Sequence, residues 1–240
     1  MTKLRYIAIL LLFIGCNSTE DEAELEVEVQ QEDELYFYAQ VENASQYSDI
    51  VSVIFAVPHP TNPCGVDYVR IDGEWELIPC NNNIELARGD WKDGGFSIEL
   101  PKTIETDYLA PLSVPSIMSI SNENVKFRDA GLIGIDKDGF SVGAVFSLVK
   151  KLGEENYTRA VFRYVDSDVT ISGYQKWVYS NNVEQTMTYS VEWKKGWNVW
   201  YFSRNISRID GKIATVNDQC SSTPISGLKW YGDNTNAWPY

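Results

Sequence analysis

Asp-Gly pairs recur along this chain between short alternating runs, and they restrict its fold more than any other feature. Asp72-Gly73, Asp93-Gly94-Gly95, Asp138-Gly139 and Asp210-Gly211 each separate two stretches rich in β-branched and aromatic residues. Tight hairpin turns need positive φ at their central residues. Glycine accepts that freely and aspartate tolerates it, and the twist of such turns matches that of antiparallel strands. The flanking runs have a period of two, and from Tyr36 onward no apolar stripe with a period of 3.6 residues reaches helical length. The expected fold is all-β, an antiparallel β-sandwich of roughly ten to twelve strands over residues 35–240.

Several pairings can be written down from the pattern. Leu35 to Val41 and Ile50 to Val57 read as a first strand pair, ended by Pro58-His59-Pro60-Thr61-Asn62-Pro63, which cannot sit inside a sheet. Placing Ile71 opposite Glu74 sets Arg70 against Trp75, Tyr68 against Leu77 and Val66 against Pro79. A second hairpin, from Leu132 to Val149, turns at Asp136-Lys137-Asp138-Gly139 and opposes Ile135 to Phe140 and Ile133 to Val142. Arg159 to Val165 and Val169 to Tyr174 read as strands. The densest aromatic run, Tyr189 to Tyr201, reads as a hairpin around Lys194-Lys195-Gly196 that opposes Trp193 to Trp197. Trp200 and Phe202 then fall on the other face. Were that face outward, the pair would form a platform on which a ligand such as a sugar ring could stack. Ile206 to Val216 pivots on Asp210-Gly211, and Gly227 to Tyr231 closes the domain. Residues 102–124, broken by Pro111 and Pro115, mark the place for a subdomain boundary, with a short helix near Ile104 to Leu109.

The N-terminus carries an address. Lys3 and Arg5 precede an apolar run, Tyr6 to Ile14, far shorter than the roughly 20 residues of a membrane-spanning helix. The end of that run, Phe13-Ile14-Gly15 followed by Cys16, resembles the lipobox of bacterial lipoproteins. The resemblance implies that residues 1–15 are a signal peptide, that Cys16 becomes the acylated mature N-terminus in the manner of a palmitate anchor, and that the protein is held on an outer membrane. Residues 16–34 contain nine acidic residues and no basic one, the composition of a solvated tether. An acidic cluster after a lipidated cysteine is similar to the surface-export signal of Bacteroidota-type lipoproteins, which implies exposure at the cell surface. Lys195-Gly196-Trp197-Asn198 resembles a turn found in small β-sandwich lipoproteins of the same group.

Charge and residue chemistry narrow the function. Residues 35–240 carry 25 acidic and 18 basic side chains, a balance that argues against nucleic acid as a partner. With Cys16 acylated, Cys64, Cys80 and Cys220 are left, so at most one disulfide can form: Cys64 with Cys80, leaving Cys220 buried and free, or Cys80 with Cys220. His59 is the only histidine, flanked by prolines, and reads as a loop residue. Asp136-Lys137-Asp138-Gly139 and Asp233-Asn234-Thr235-Asn236 carry too few oxygen ligands for a calcium loop and are explained by turn chemistry, so neither a metal nor another cofactor is expected. The reading is a non-catalytic, lipid-anchored envelope protein for binding or assembly, with a glycan or another envelope protein as partner. The alternatives are a carbohydrate-binding module and, second, a glycan hydrolase, which would need two converging carboxylates.

Overall fold

The computed structural model describes residues 35–60, 67–71, 74–78, 83–152 and 155–233. The strands of the first part are β1 (Leu35–Gln40), β2 (Ile50–Pro58), β3 (Asp67–Ile71), β4 (Glu74–Ile78), β5 (Asn83–Lys92), β6 (Gly95–Leu100), β7 (Ala110–Pro111) and β8 (Ser119–Ile120). Those of the second are β9 (Lys126–Asp136), β10 (Ser141–Lys151), β11 (Tyr157–Val165), β12 (Val169–Val178), β13 (Glu184–Trp193), β14 (Gly196–Ile209), β15 (Lys212–Ser221) and β16 (Lys229–Asp233). The only helical turns among the described residues are short 3₁₀ segments, Ala44–Gln46 and Thr106–Tyr108. The fold is all-β, predominantly antiparallel and sandwich-like, with sixteen strands among the described residues.

The main sheet runs β1-β6-β5-β2-β9-β10-β11-β14-β15-β13-β12-β8, with β16 beside β10 and β7 beside β9. Strand β9 has two partners on one edge: Leu132 faces Phe146 of β10, and Ala130 faces Phe162 of β11. Strands β10 and β11 also pair with each other through Val149 and Arg159, so the sheet forks there and separates two hydrophobic clusters. The first cluster gathers Ala39, Phe55, Ile98, Leu132, Phe146, Phe162 and Trp230. The second gathers Val169, Ile171, Val191, Trp193, Phe202 and Cys220. Strand β2 is buried on both faces, which explains its unbroken run Val53-Ile54-Phe55-Ala56-Val57.

A bridge between Val41 and Trp230 brings the start of the sheet onto its last strand, reinforced by Glu42 N–H donating to the Trp230 carbonyl at 2.9 Å. The Asn43 amide continues this ladder as a peptide group would. Its Nδ2 donates to the Gly232 carbonyl and its Oδ1 accepts from the Gly232 N–H, both at 2.9 Å.

The turn signals place most strands where the pattern predicts, and the β3–β4 register follows it. Ile71 faces Glu74, Arg70 faces Trp75 and Tyr68 faces Leu77 in β3–β4, although the Asp72-Gly73 turn itself lies outside the described residues. Ile206 faces Val216 across β14–β15, and Asp210 and Gly211 both have positive φ, 50° and 76°. The helical turn expected near Ile104 to Leu109 is present as the 3₁₀ segment.

Three expected pairings are corrected. β1 does not pair with β2 but with β6, because residues 41–49 turn back through the 3₁₀ segment, and the Gln40 amide donates to the carbonyls of Asp93 and Gly94. In β9–β10, Ile135 faces Ser141 and Ile133 faces Val145, with an irregularity between. Asp136 Oδ1 accepts the N–H groups of Asp138 and Phe140, which lengthens the turn and leaves Phe140 60% exposed while Ala144 and Phe146 go inside. Finally, β13 and β14 do not form a hairpin at all. β15 lies between them, antiparallel to β14 and parallel to β13.

The cause of that last departure is Asn198. Its Nδ2 donates to the carbonyls of Lys194 and Gly196, and its Oδ1 accepts the Lys194 N–H, while Lys195 N–H is bound by Asp168. These bonds hold a wide turn that carries the chain across the width of a strand. Gly196 sits at φ 105° with open space around it, so a side chain there is resisted by the backbone conformation and not by a clash. Gly196→Val should therefore destabilise the fold by more than about 1 kcal/mol. A urea midpoint that does not move at constant slope would show that the turn relaxes without cost.

Candidate functional site

Five strands, β11-β14-β15-β13-β12, present one continuous face whose residues align in cross-strand rows. Arg159, Phe202, Cys220, Tyr189 and Gly173 form one row, and Tyr157, Arg204, Asp218, Met187 and Gln175 form the next. A third contains Ile206, Val216, Gln185 and Trp177. On the other side of the Phe202 row lie Trp200, Val191, Ile171, Trp193 and Val169, which are the second cluster.

Residues 112–125 cover that clustered end. Leu112, Val114, Met118, Ile120 and Val125 pack onto it, so the stretch that suggested a subdomain boundary serves as its roof. Met118 fits because position 173 is glycine: a Cβ there would lie 2.6 Å from the Met118 sulfur. The far rows are different. Tyr157, Arg204, Met187, Gln175, Ile206, Gln185 and Trp177 are all half-buried.

Two carboxylate–guanidinium pairs organise the face. Asp218, fully buried, receives Arg204 Nε at 2.7 Å and Nη2 at 2.8 Å, and Gln185 Nε2 at 2.9 Å. Tyr179 donates to Gln185 Oε1 at 2.7 Å, completing a chain Tyr179–Gln185–Asp218–Arg204. The bond to Asp218 raises the Arg204 pKa. Nearer the roof, Arg163 holds Asp129 bidentately, with both contacts at 2.5 Å. Its guanidinium carbon lies 4.3, 4.5 and 5.0 Å from the ring centres of Phe127, Trp193 and Trp200, an aromatic box for a cation. Arg159 and Arg204 both lie over the Phe202 ring, at 5.1 and 5.5 Å. Burial pushes the Arg159 pKa down, with Tyr157 opposing and the Arg204 charge adding to it, yet guanidinium is so basic that it stays charged.

Some polar atoms on this face are buried without a partner: Gln175 Oε1 and the indole nitrogens of Trp193 and Trp200. Arg204 gives Nε and Nη2 to Asp218, and among the described residues Nη1 takes no hydrogen bond, on a side chain 35% exposed.

The chain matches no family model, no curated protein and no solved structure.

The residues singled out in the sequence fall as follows. Phe202 is buried in the second cluster and Trp200 is half-buried against Trp193, 6.1 Å between ring centres, so this pair is part of a covered face and not an exposed platform. The reason is the altered pairing: with β14 beside β11 and β15, the Trp200 side joins the Trp193 side under the roof. Trp197 goes instead to the first cluster, 4.9 Å from Phe55, with its Nε1 donating to Pro101 at 2.7 Å.

Cys220 is a free thiol, buried. Burial pushes its pKa up to about 12, and the neighbouring Tyr189 is likewise raised by burial to about 12, so the thiol is unreactive at neutral pH. Cys16, Cys64 and Cys80 lie outside the described residues, as does Asn234 to Asn236. His59 is half-buried just beyond the end of β2. Among the described residues no three His, Cys, Asp or Glu side chains gather as a metal site, and no helix is long and apolar enough to cross a membrane.

The far rows are what reading the sequence missed. Tyr157, Gln175, Trp177, Gln185 and Arg204 come from four strands spread over the second half of the chain. No local motif links them. The available signal was the polar residue at alternate, inward-facing positions of otherwise apolar strands, such as Arg159 and Arg163 in β11 and Asp218 in β15.

Proposed function

We propose that this chain is a non-catalytic, lipid-anchored protein of the cell envelope that binds a ligand on the far rows of the β11-β14-β15-β13-β12 face. The observation that carries the reading is a half-buried surface that mixes aromatic rings, Tyr157 and Trp177, with hydrogen-bonding atoms lacking protein partners, Arg204 Nη1 and Gln175 Oε1. Binding sites combine apolar area with a few convergent polar groups in this way. Hydrolysis is the weaker reading, because both carboxylates of the face, Asp129 and Asp218, already have their oxygens engaged by guanidinium groups.

Anchoring rests on the lipobox at Cys16 and the acidic residues 16–34. One acyl chain binds a bilayer only marginally, whereas two or more hold durably. Cys16→Ser should release the folded protein from membranes, and a variant that sediments with membranes in high salt after signal cleavage overturns the anchor. For the face, a glycan and envelope-extract binding screen should compare the intact protein with Trp177→Ala. Loss of affinity by about tenfold or more is expected for whatever the protein captures; a variant that keeps its full affinity places the site elsewhere.

A further inference from the structure

We infer that the protein pairs with a second copy of itself through the edge of β12, a contact that goes beyond the binding reading above and does not rest on it. In the main sheet β12 is covered on its outer side only by β8, and only at Ile171 and Ser172. From Gly173 onward no strand among the described residues borders that side. The direction of the backbone groups follows from the register. β12 faces β13 without a break from Val169 to Val178, and the Tyr179 N–H donates to the Val183 carbonyl, so the odd-numbered residues bond to β13. The even-numbered ones point outward, as the Thr170 carbonyl does where it accepts the Ser121 N–H. Tyr174, Lys176 and Val178 thus offer three N–H and three carbonyl groups at a sheet edge, the template for another strand.

The side chains of that stretch suit a second copy. Proteins guard open edges with charge or proline, and the one charge here, Lys176, is drawn aside by Glu184 at 2.9 Å. Tyr174 and Val178 on either side of it are 55% and 61% exposed. A two-fold pairing centred on Lys176 uses the free edge at its full length. It sets Tyr174 against the partner's Val178, twice by symmetry, and Lys176 against its own counterpart, with each ammonium keeping its own carboxylate. Shifted by two residues one way, the ladder meets Ser172, whose edge β8 already fills; shifted the other way, Tyr174 runs past the end of the strand.

In the centred register the partner's Gly173 falls opposite Tyr179, and with it comes Ile117 of the roof, which packs over that glycine. Ile117 and Tyr179 are both exposed in the single chain, and the pairing brings these two apolar surfaces together. On the inner face Gln175 of each copy stands opposite Trp177 of the other, in the closer type of antiparallel pair, so two five-strand faces join into one. The contact is the same on both copies and uses each edge once, which closes the assembly at two. A ladder from Tyr174 to Val178 stays below the roughly 1,200 Å² of a stable interface, so the dimer is weak and forms as concentration rises.

The test is sedimentation equilibrium of the intact protein in density-matched detergent, with micelles in large excess, over about 5 to 500 μM. A monomer–dimer equilibrium is expected. Val178→Pro should weaken it by about tenfold or more, because proline removes an outward N–H and leaves the β13 ladder intact. Far-ultraviolet circular dichroism verifies that the variant folds. A cross-link gives a reading that does not depend on that variant. Directly opposed, hydrogen-bonded residues of antiparallel strands have Cα atoms about 5.5 Å apart, within reach of a disulfide. Mild oxidation with diamide should therefore join Lys176→Cys into a covalent dimer bridged at that position, as peptide mapping will show, and should not join Lys212→Cys, which is exposed at the start of β15. A monomer at every concentration, species larger than a dimer, an affinity that folded Val178→Pro leaves unchanged, or cross-linking of Lys212→Cys equal to that of Lys176→Cys overturns the inference.

Discussion

Asp218→Ala is expected to cost about 3 kcal/mol of folding free energy, one of the two largest effects of any single substitution considered for this protein. Asp218 has no exposed side-chain surface, and its two oxygens take three N–H groups, two from Arg204 and one from Gln185. Without it a guanidinium packed against Phe202 keeps its charge and loses its counter-ion. The estimate sits at the low end of the range for broken buried pairs, because Arg204 is 35% exposed and can recover water on one side. Asp218→Asn should cost less, since one acceptor survives. The double variant Asp218→Ala with Arg204→Met should recover much of the loss, as apolar groups of similar length often replace a buried pair without penalty. Urea titration of the wild type, Asp218→Ala, Arg204→Met and the double variant completes the cycle. A single-variant loss below about 1 kcal/mol would mean that solvent already screens the pair.

The other large effect is expected at Trp193, which is 1% exposed at the centre of the second cluster. Trp193→Ala should cost about 3 to 5 kcal/mol through lost burial and the cavity left between Trp200 and the Arg163 guanidinium. A partner test separates this structure from the hairpin that the sequence suggests. Opposed in a hairpin, Trp193 and Trp197 would be energetically coupled. Here they belong to different clusters, so their losses should add to within about 0.5 kcal/mol, while Trp193 and Trp200 should depart from additivity by more. Coupling between Trp193 and Trp197 that exceeds the Trp193–Trp200 value would restore the hairpin.

That contrast shows where the sequence is informative about this fold and where it is silent. Period-two runs and Asp-Gly turns located most strands, because the preference for positive φ and the alternation of faces are properties of a few adjacent residues. They also gave the β14–β15 hairpin about Asp210-Gly211, where the partner strand is the next one along. Lys194-Lys195-Gly196 carries the same local signal and yet is not a hairpin, because Asn198 and Asp168 hold a wider turn and β15 completes both neighbouring ladders. Nothing within the fifteen or so residues around that turn states that a strand beginning at Lys212 will come between its arms. The same limit hid the candidate site. Arg204 looks like a surface residue of a strand until β15 places Asp218 beside it, and Gln175 and Trp177 acquire meaning only when β12 and β13 are laid next to β15.

The junction at Val41, Asn43 and Trp230 has a mechanical consequence. A pull applied through the N-terminal segment reaches the globular part at Leu35, at one end of β1, whose ladder partner is β6. Such a load peels β1 one rung at a time, from Leu35–Leu100 toward Gln40–Gly95, a mode in which few hydrogen bonds bear force at once. At Val41 the geometry changes: the bridge to Trp230 and the paired amide bonds between Asn43 and Gly232 must yield together, and they tie the load to β16 and, through it, β10. The first strand can thus give way as a short, recoverable extension while the β11-β14-β15-β13-β12 face, which shares no rung with it, keeps its shape.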